Sequence, residues 1–392
     1  MTSRVSLTSF SLALACGLAL AAPASAFETT GNATADHFLT TIEAGGATVT
    51  SIGTVSDVGG VISIDAITAD VAADGKVSKL EIGEARLEGA EVLESKRLTV
   101  ADFRLNDISV TAEDGGVTVD SLHTVGTVFP SPEEVGKAGK DNAVAPLYKS
   151  AELLGIMLKA EGRGAVPIER VAATVDALDG DTPTAGSFQI EGIRLSKADL
   201  DEEGQKMLTD LGYEDMTLSV EGTGKWLPDE GILNLEKLAI AGKEVGNLAF
   251  AARINGVTRE VVARLEQAQG DPEKALGLLQ GLGVEHLAID LENSSIVERV
   301  LDRQAQEVGT DRATFVEQIT GALPLMLSVI GNPEFQNKVA GALTTFLKDP
   351  KSLRAVATPA NPVPIAQLIG TAMIAPQTLP DVLAVEIRAN SE

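Results

Sequence analysis

The stretch Asp70–Glu81 has the residue types of a calcium-binding loop. Laid on the twelve-residue EF-hand pattern, it places acids at the first, fifth and twelfth positions, which are Asp70, Asp74 and Glu81, and glycine at the sixth. Ala72 stands at the third position, where such a loop supplies an oxygen, and the residues that follow alternate as a strand. An Asp-Gly pair between alternating segments favours a β-hairpin turn. We therefore expect a turn and no metal, and the three acids are only weak metal candidates.

The rest of the sequence carries no motif for catalysis. The three histidines, His37, His123 and His286, are far apart and lack the i, i+4 spacing of a zinc site. There is no G-x-S-x-G nucleophile elbow, no phosphate-binding loop and no dinucleotide fingerprint. The sequence predicts neither an enzyme nor a cofactor.

The charge balance limits the class of partner. The chain has 31 basic and 56 acidic residues, which gives a net charge of −25. Such a chain is repelled by nucleic acid and by anionic lipid head groups. Only 3% of the residues are aromatic, fewer than stacking sites for bases or sugars usually need.

Residues 1–26 have the pattern of a secretory signal peptide. Arg4 is followed by an apolar run and then by Ala24-Ser25-Ala26, an A-x-A cleavage site that leaves Phe27 first. The single cysteine, Cys16, faintly resembles a lipoprotein box, so a lipid-anchored form is the alternative. Cleavage after residue 26 predicts a cysteine-free periplasmic protein without disulfides. No later stretch of about 18 uninterrupted apolar residues occurs, so we expect no transmembrane span in the mature chain.

Residues 47–128 read as a series of short two-faced strands, because pairs of apolar residues alternate with acids, Lys, Ser and Thr. The apolar members are Ile62, Ile64, Leu80, Ile82, Leu98, Val100, Phe103, Leu105, Ile108 and Val110. These ten side chains are candidates to line a groove for an apolar ligand. The alternative is a filled sheet core, covered by helices predicted at 146–160 and 259–282.

Sequence patterns typical of helices occur between the predicted strands and are most frequent in the last quarter of the chain. Ser131-Pro132-Glu133-Glu134 and Ser295-Ile296-Val297-Glu298 both have the pattern of a capping box. We predict a signal peptide at 1–26, a β-rich region at 27–130, mixed strands and helices at 131–292, and a mainly helical region with terminal strands at 293–392. The predicted fold class is α+β, with an elongated antiparallel sheet or curled half-barrel, packed helices and a helical C-terminal region.

The order of these segments resembles the AsmA-like and uncharacterised envelope proteins of Gram-negative bacteria. The resemblance rests on the exported start followed by segments such as Ala35-Asp36-His37-Phe38-Leu39, Val61-Ile62-Ser63-Ile64-Asp65 and the helical tail that opens at Ser295. It implies sheets that curl into grooves and a role in handling lipid between membranes. The chain departs from that family in lacking a predicted transmembrane helix after the signal.

Two functions are therefore expected from the sequence. The first is a soluble periplasmic binding or chaperone-like protein with an apolar groove for lipid or another apolar ligand. The second is a structural or interaction protein of the cell envelope, with a filled core and an envelope protein as its partner. An open cavity on the apolar strand faces would favour the first.

Overall fold

The fold was analysed in a computed structural model of the 392-residue chain. The structure describes residues 27–73, 76–138, 144–268, 277–279 and 281–391. The predicted signal peptide at 1–26 lies outside these residues. The chain divides into two compact units, Met1–Val175 and Asp176–Glu392. The predicted boundaries at 130/131 and 292/293 fall inside these units.

Over its described residues, the first unit is built from strands, with one helix before them and one among them. Its elements are α1 (Ala33–Ala44), β1 (Ala47–Ser51), β2 (Val55–Val58), β3 (Val61–Ala73), β4 (Lys76–Glu88), β5 (Glu91–Val92), β6 (Leu98–Ala112), β7 (Gly115–Phe129), α2 (Pro132–Ala138), β8 (Ser150–Ala160) and β9, which begins here (Ala165–Asp179). All described pairings between these strands are antiparallel, and β3, β4, β6, β7, β8 and β9 follow one another across the sheet.

Helix α1 supplies the apolar cover of this sheet. Asn32 caps it by accepting hydrogen bonds from the backbone N–H groups of Thr34 and Ala35. Phe38 and Leu39 are 3% and 0% exposed, and both belong to the core formed with the strands. Sheet and helix are held together by this burial, since the sequence offers no disulfide.

The alternation of apolar residues is interrupted once within each of five strands, which we call a change of phase. Within each strand two apolar residues are two positions apart, and the next pair follows after three positions. The changes fall between Ile64 and Ile67, between Ile82 and Ala85, between Leu105 and Ile108, between Val119 and Leu122, and between Leu153 and Ile156. In a regular strand, residues three apart point to opposite faces. Yet all ten residues belong to one core.

Left-handed residues accompany this change of phase in three of the five strands, β3, β6 and β8. Ala66, Asp107 and Gly155 have φ of 51°, 53° and 63°, which restores the apolar face in alternate strands. The registers place Ala66 opposite Gly83, Gly83 opposite Asp107, and Asp107 opposite Asp120, which faces Gly155. We call this row of five residues the crease. It runs across five strands and lets one apolar face continue on both of its sides.

The second unit has a strand-rich part followed by most of the helices of the chain. Its elements are β10 (Thr182–Ser196), α3 (Glu202–Asp210), β11 (Asp215–Leu227), β12 (Ile232–Gly242), β13 (Gly246–Asn255), α4 (Arg259–Gln267), β14 (Gly283–Asn293), α5 (Ile296–Glu307), α6 (Arg312–Met326), α7 (Pro333–Lys348), β15 (Ser352–Ala357), β16 (Val363–Pro364), α8 (Ile365–Ile374), α9 (Leu379–Val382) and β17 (Val385–Ala389). Strands β10 to β15 pair antiparallel in chain order, and β17 pairs with β15.

The predicted fold class is confirmed: the protein is α+β, with a large open antiparallel sheet and helices concentrated towards the C-terminus. The predicted Ser131 box is also confirmed, because Ser131 and Glu134 bond each other's backbone N–H groups. The predicted Ser295 box is wrong in its contacts. The Ser295 hydroxyl donates to the carbonyl of Glu244 and also contacts the Tyr213 hydroxyl, and it does not cap α5.

The helix predicted at 146–160 is wrong, because Ser150–Ala160 forms strand β8. This strand pairs with β7 on one side and β9 on the other. An interior strand of this kind carries apolar residues on both faces, and a short apolar run cannot be assigned to helix or strand by periodicity alone. The helix predicted at 259–282 begins correctly as α4, but residues 269–276 lie outside the described part of the chain.

Candidate functional site

An apolar cavity of about 370 Å³ lies within the first unit. Strands β4, β6, β7, β8 and β9 form one wall, and α1, α2 and residues 144–148 form the others. Among the described residues, its lining consists of Phe38, Thr41, Ile42, Gly45, Leu80, Ile82, Phe103, Leu105, Leu122, Thr124, Thr127, Phe129, Pro130, Val135, Val144, Ala145, Pro146, Tyr148, Ala151, Leu153, Val171 and Ala173. None of these 22 side chains is charged.

Because of the crease, apolar residues on both of its sides face the cavity. Leu80 and Ile82 lie on one side of the crease, and Phe103 and Leu105 lie on the other, yet all four face the same cavity. A strand without the change of phase would turn one of these pairs to the outer face. The local backbone conformation therefore decides that both pairs can touch one ligand.

Small side chains open the far end of the sheet wall. Ala151 of β8 is directly opposite Ala173 of β9, and both line the cavity. The neighbouring pair, Leu153 and Val171, also lines it and is larger. Two methyl groups at one cross-strand position leave space that larger side chains would fill.

Four of the ten residues predicted to line a groove do so: Leu80, Ile82, Phe103 and Leu105. All ten belong to one core or its margin, and the remaining six do not border the cavity. They are Ile62, Ile64, Leu98, Val100, Ile108 and Val110. The first five are buried and Val110 is partly buried. The strand faces thus form a filled core in one region and an open cavity in another.

Sequence reasoning missed the contribution of α1 and β7 to the site. Phe38, Phe103 and Phe129 form a cluster whose ring centroids are 5.0–5.6 Å apart, and all three rings reach the cavity. Such edge-to-face and tilted contacts hold the rings in place. The sequence predicts the apolar face of α1, with Phe38, Leu39 and Ile42, but it does not predict which strand that face packs against.

An ion pair holds α2 in the cavity wall. The Arg97 guanidinium donates to both carboxylate oxygens of Glu134 at 2.7–3.1 Å, and Glu134 also accepts from Ser131. The Arg97 guanidinium, with help from the Ser131 backbone N–H, lowers the pKa of Glu134 to about 2. The adjacent residue, Val135, lines the cavity. This contact therefore positions a part of the site without entering it.

The described lining residues carry four side-chain hydroxyls. Thr41 donates to the carbonyl of His37 at 3.0 Å, and the Thr124 and Thr127 hydroxyls bond each other. Gly126, with φ of 64°, lies between these two threonines and turns both to the cavity face. Within the described residues, the fourth hydroxyl, that of Tyr148, has no protein hydrogen-bond partner. It is the one hydroxyl of the described lining without a protein partner.

The Asp70–Glu81 stretch lies between two strands, as the turn prediction expects. Strands β3 and β4 pair up to Ala73 and Lys76, while Asp74 and its glycine lie outside the described residues. Asp70 is exposed, and Glu81 forms an ion pair with Lys79 at 2.6 Å, which lowers the pKa of Glu81. The structure contains no group of three His, Cys, Asp or Glu side chains suited to a metal in the part of the chain it describes.

One helical segment of the second unit has the length and composition of a membrane span. It is Arg312–Ile330, comprising α6 and the 3₁₀ turn after it, and 11% of its apolar window is buried. One such helix is weak evidence for a span, because helices of soluble proteins meet the same criterion. The expectation that the mature chain has no transmembrane span stays a prediction.

Comparison with known proteins concerns the second unit. Residues 239–390 match a family model described as an uncharacterized protein. The matched region does not include the cavity. No curated protein matches the chain.

Proposed function

We propose that this chain is a soluble periplasmic binding or chaperone-like protein that carries lipid or another apolar ligand in the cavity of its first unit. The observation that carries the proposal is the cavity itself, whose volume of about 370 Å³ lies in the range of small-molecule sites. Its uncharged and mostly apolar lining suits a ligand that leaves water through the hydrophobic effect. Export by a signal peptide at 1–26 is part of the same proposal.

The alternative is a structural or interaction protein with no ligand. The six predicted lining residues that lie in the filled core favour it, because they show that much of the apolar face is used for packing. The two functions differ in whether the purified protein takes up an apolar compound.

Uptake of N-phenyl-1-naphthylamine, an uncharged probe that fluoresces in apolar surroundings, tests the proposal. We expect saturable binding with a Kd on the order of 1 μM. Ala173→Phe should weaken binding at least about tenfold, because the ring fills the space opposite Ala151. Fluorescence titration measures both affinities.

Ala172→Phe is the matched control. Ala172 is the neighbouring residue on β9, has the same intermediate burial and does not line the cavity. We expect its affinity to stay within about twofold of wild type. Absence of saturable binding by the wild type, together with mass spectrometry that finds no co-purified apolar compound, would reject the binding function and favour the alternative.

A further inference from the structure

The chemistry of the cavity specifies a narrower class of ligand. We propose, building on the binding function above, that the cavity takes a single-chain or ring ligand whose one polar group is uncharged and hydrogen-bonds to the Tyr148 hydroxyl. The inference rests on the volume, on the charges around the lining and on the hydrogen bonds of its four hydroxyls.

The volume limits the size of the enclosed part of the ligand. A protein cavity of about 150 Å³ accommodates benzene. Scaling that ratio to about 370 Å³ gives room for about 15 non-hydrogen atoms. This is one medium-length alkyl chain or a two- or three-ring compound. The two chains of a diacyl lipid do not fit together in this space.

The lining argues against a charged head group inside the cavity. A carboxylate or ammonium group that leaves water needs a partner of opposite charge, and no lining side chain among the residues that the structure describes provides one. Arg97, on the wall behind α2, is bonded to Glu134. Lys149 follows Tyr148 in the chain, but its aliphatic stem packs against Gly126 and it does not line the cavity.

Tyr148 carries the one hydroxyl of the described lining that has no protein partner. The threonine hydroxyls of the lining are already bonded within the protein, whereas the Tyr148 hydroxyl has no partner among the residues that the structure describes. A phenol can both donate and accept. An alcohol, ester or ketone group of the ligand matches it. The ring of Tyr148 would contact the apolar part of the same ligand.

Competition against N-phenyl-1-naphthylamine at pH 8 tests the class of ligand. The competitors are decan-1-ol, decanoate and decyltrimethylammonium, which share a chain length and differ in the charge of the head. We expect decan-1-ol to bind at least about tenfold more tightly than either ion. Equal competition by decanoate or by the ammonium compound overturns the inference while leaving the binding function intact.

The substitution Tyr148→Phe tests the role of the hydroxyl. We expect about a fivefold loss of affinity for decan-1-ol, the size of one neutral hydrogen bond, with probe affinity unchanged within twofold. Tyr213→Phe is the matched control, since Tyr213 is the other tyrosine of the chain and lies in the second unit, bonded to Ser295. It should leave both affinities unchanged.

The outcomes separate the two proposals. If Tyr148→Phe folds as wild type by circular dichroism and binds decan-1-ol equally well, the assignment of Tyr148 is wrong and the apolar site stands. If neither the probe nor decan-1-ol binds the wild type when measured directly by calorimetry, the binding function fails and this inference fails with it.

Discussion

Glu134 shows how one surface carboxylate fixes a wall of the cavity. It caps the first turn of α2 through Ser131 and pairs with Arg97, which precedes β6. The ion pair with Arg97 needs the ionised carboxylate, whereas the bond from the Ser131 backbone N–H needs only an oxygen acceptor. The side chain is 38% exposed, so solvent screens the pair and the contribution of Glu134 to stability is modest, about 1 kcal/mol.

This contact predicts a pH-dependent term in stability. The pKa of Glu134 in the folded protein is about 2, below its ordinary value of 4.5. The contribution is therefore fully present above about pH 4.5 and is lost as the pH falls towards 2. Glu134→Gln should lower the free energy of unfolding by about 1 kcal/mol at pH 7. The difference from wild type should shrink below about pH 3.

Urea unfolding at pH 7 and at pH 3 measures the effect, with Glu133→Gln as the matched control. Glu133 is the adjacent acid, and within the described residues it forms its ion pair with the exposed Lys137. We expect a smaller change from Glu133→Gln than from Glu134→Gln at pH 7. A difference between Glu134→Gln and wild type that is the same at both pH values would contradict the ion-pair account.

The crease is the element-scale feature on which the site depends. Regular strands would place the apolar pairs on either side of it on opposite faces, and the sheet wall of the cavity would lose Leu80 and Ile82 or Phe103 and Leu105. The left-handed conformation at Ala66 and Asp107 costs about 1–2 kcal/mol per residue. Burial of the realigned apolar faces offsets that cost.

Two alanine-to-glycine substitutions in β3 test the crease. Ala66→Gly should raise the free energy of unfolding by about 0.5–1 kcal/mol, because glycine adopts a φ of 51° without strain. Ala69→Gly, in the same strand at a buried regular position, should lower it by about 1–2 kcal/mol. Urea denaturation measures both, and equal destabilisation by the two changes would show that Ala66 is not strained.

At the scale of the whole molecule, the chain separates a cavity-bearing unit from a unit that matches an uncharacterized family. Without residues 1–26 it would keep 30 basic and 56 acidic residues, a net charge of −26, because Arg4 is the one charged residue of that segment. Such a charge keeps a protein soluble and disfavours electrostatic docking on anionic lipids. Hydrophobic burial is then the driving force available for holding a lipid-like ligand.

The predicted export makes a whole-molecule prediction. The protein purified from the periplasm of a Gram-negative host should begin at Phe27, because the A-x-A site precedes it. Intact-mass and N-terminal peptide mass spectrometry measure this. Cys16→Ser is the control and should leave the mature mass unchanged. A mature chain that begins at Cys16 and carries lipid would contradict soluble export and establish the lipoprotein alternative.

Much of the fold follows from local signals in the sequence. The alternation in residues 47–128 predicts strands in the first unit, but it predicts short ones, whereas β6 is a single strand of 15 residues that runs through Asp107. Ser131 with Glu134 predicts the start of α2. Both signals depend on near neighbours in the chain. The spacing of three between apolar pairs, as from Leu105 to Ile108, was also present in the sequence. This spacing marks the crease. Interpreting it as a break in the alternation within one strand could have predicted the crease from the sequence.

The cavity was decided by the tertiary structure. Alternation determines which side chains share a face, but it does not determine whether another element packs on that face or leaves it open. All ten predicted residues belong to one core or its margin, but only Leu80, Ile82, Phe103 and Leu105 also border the cavity that the sheet forms with α1 and α2. Residues 150–160 likewise became a strand because β7 and β9 pair with them on both sides, a long-range contact that local apolar character does not encode.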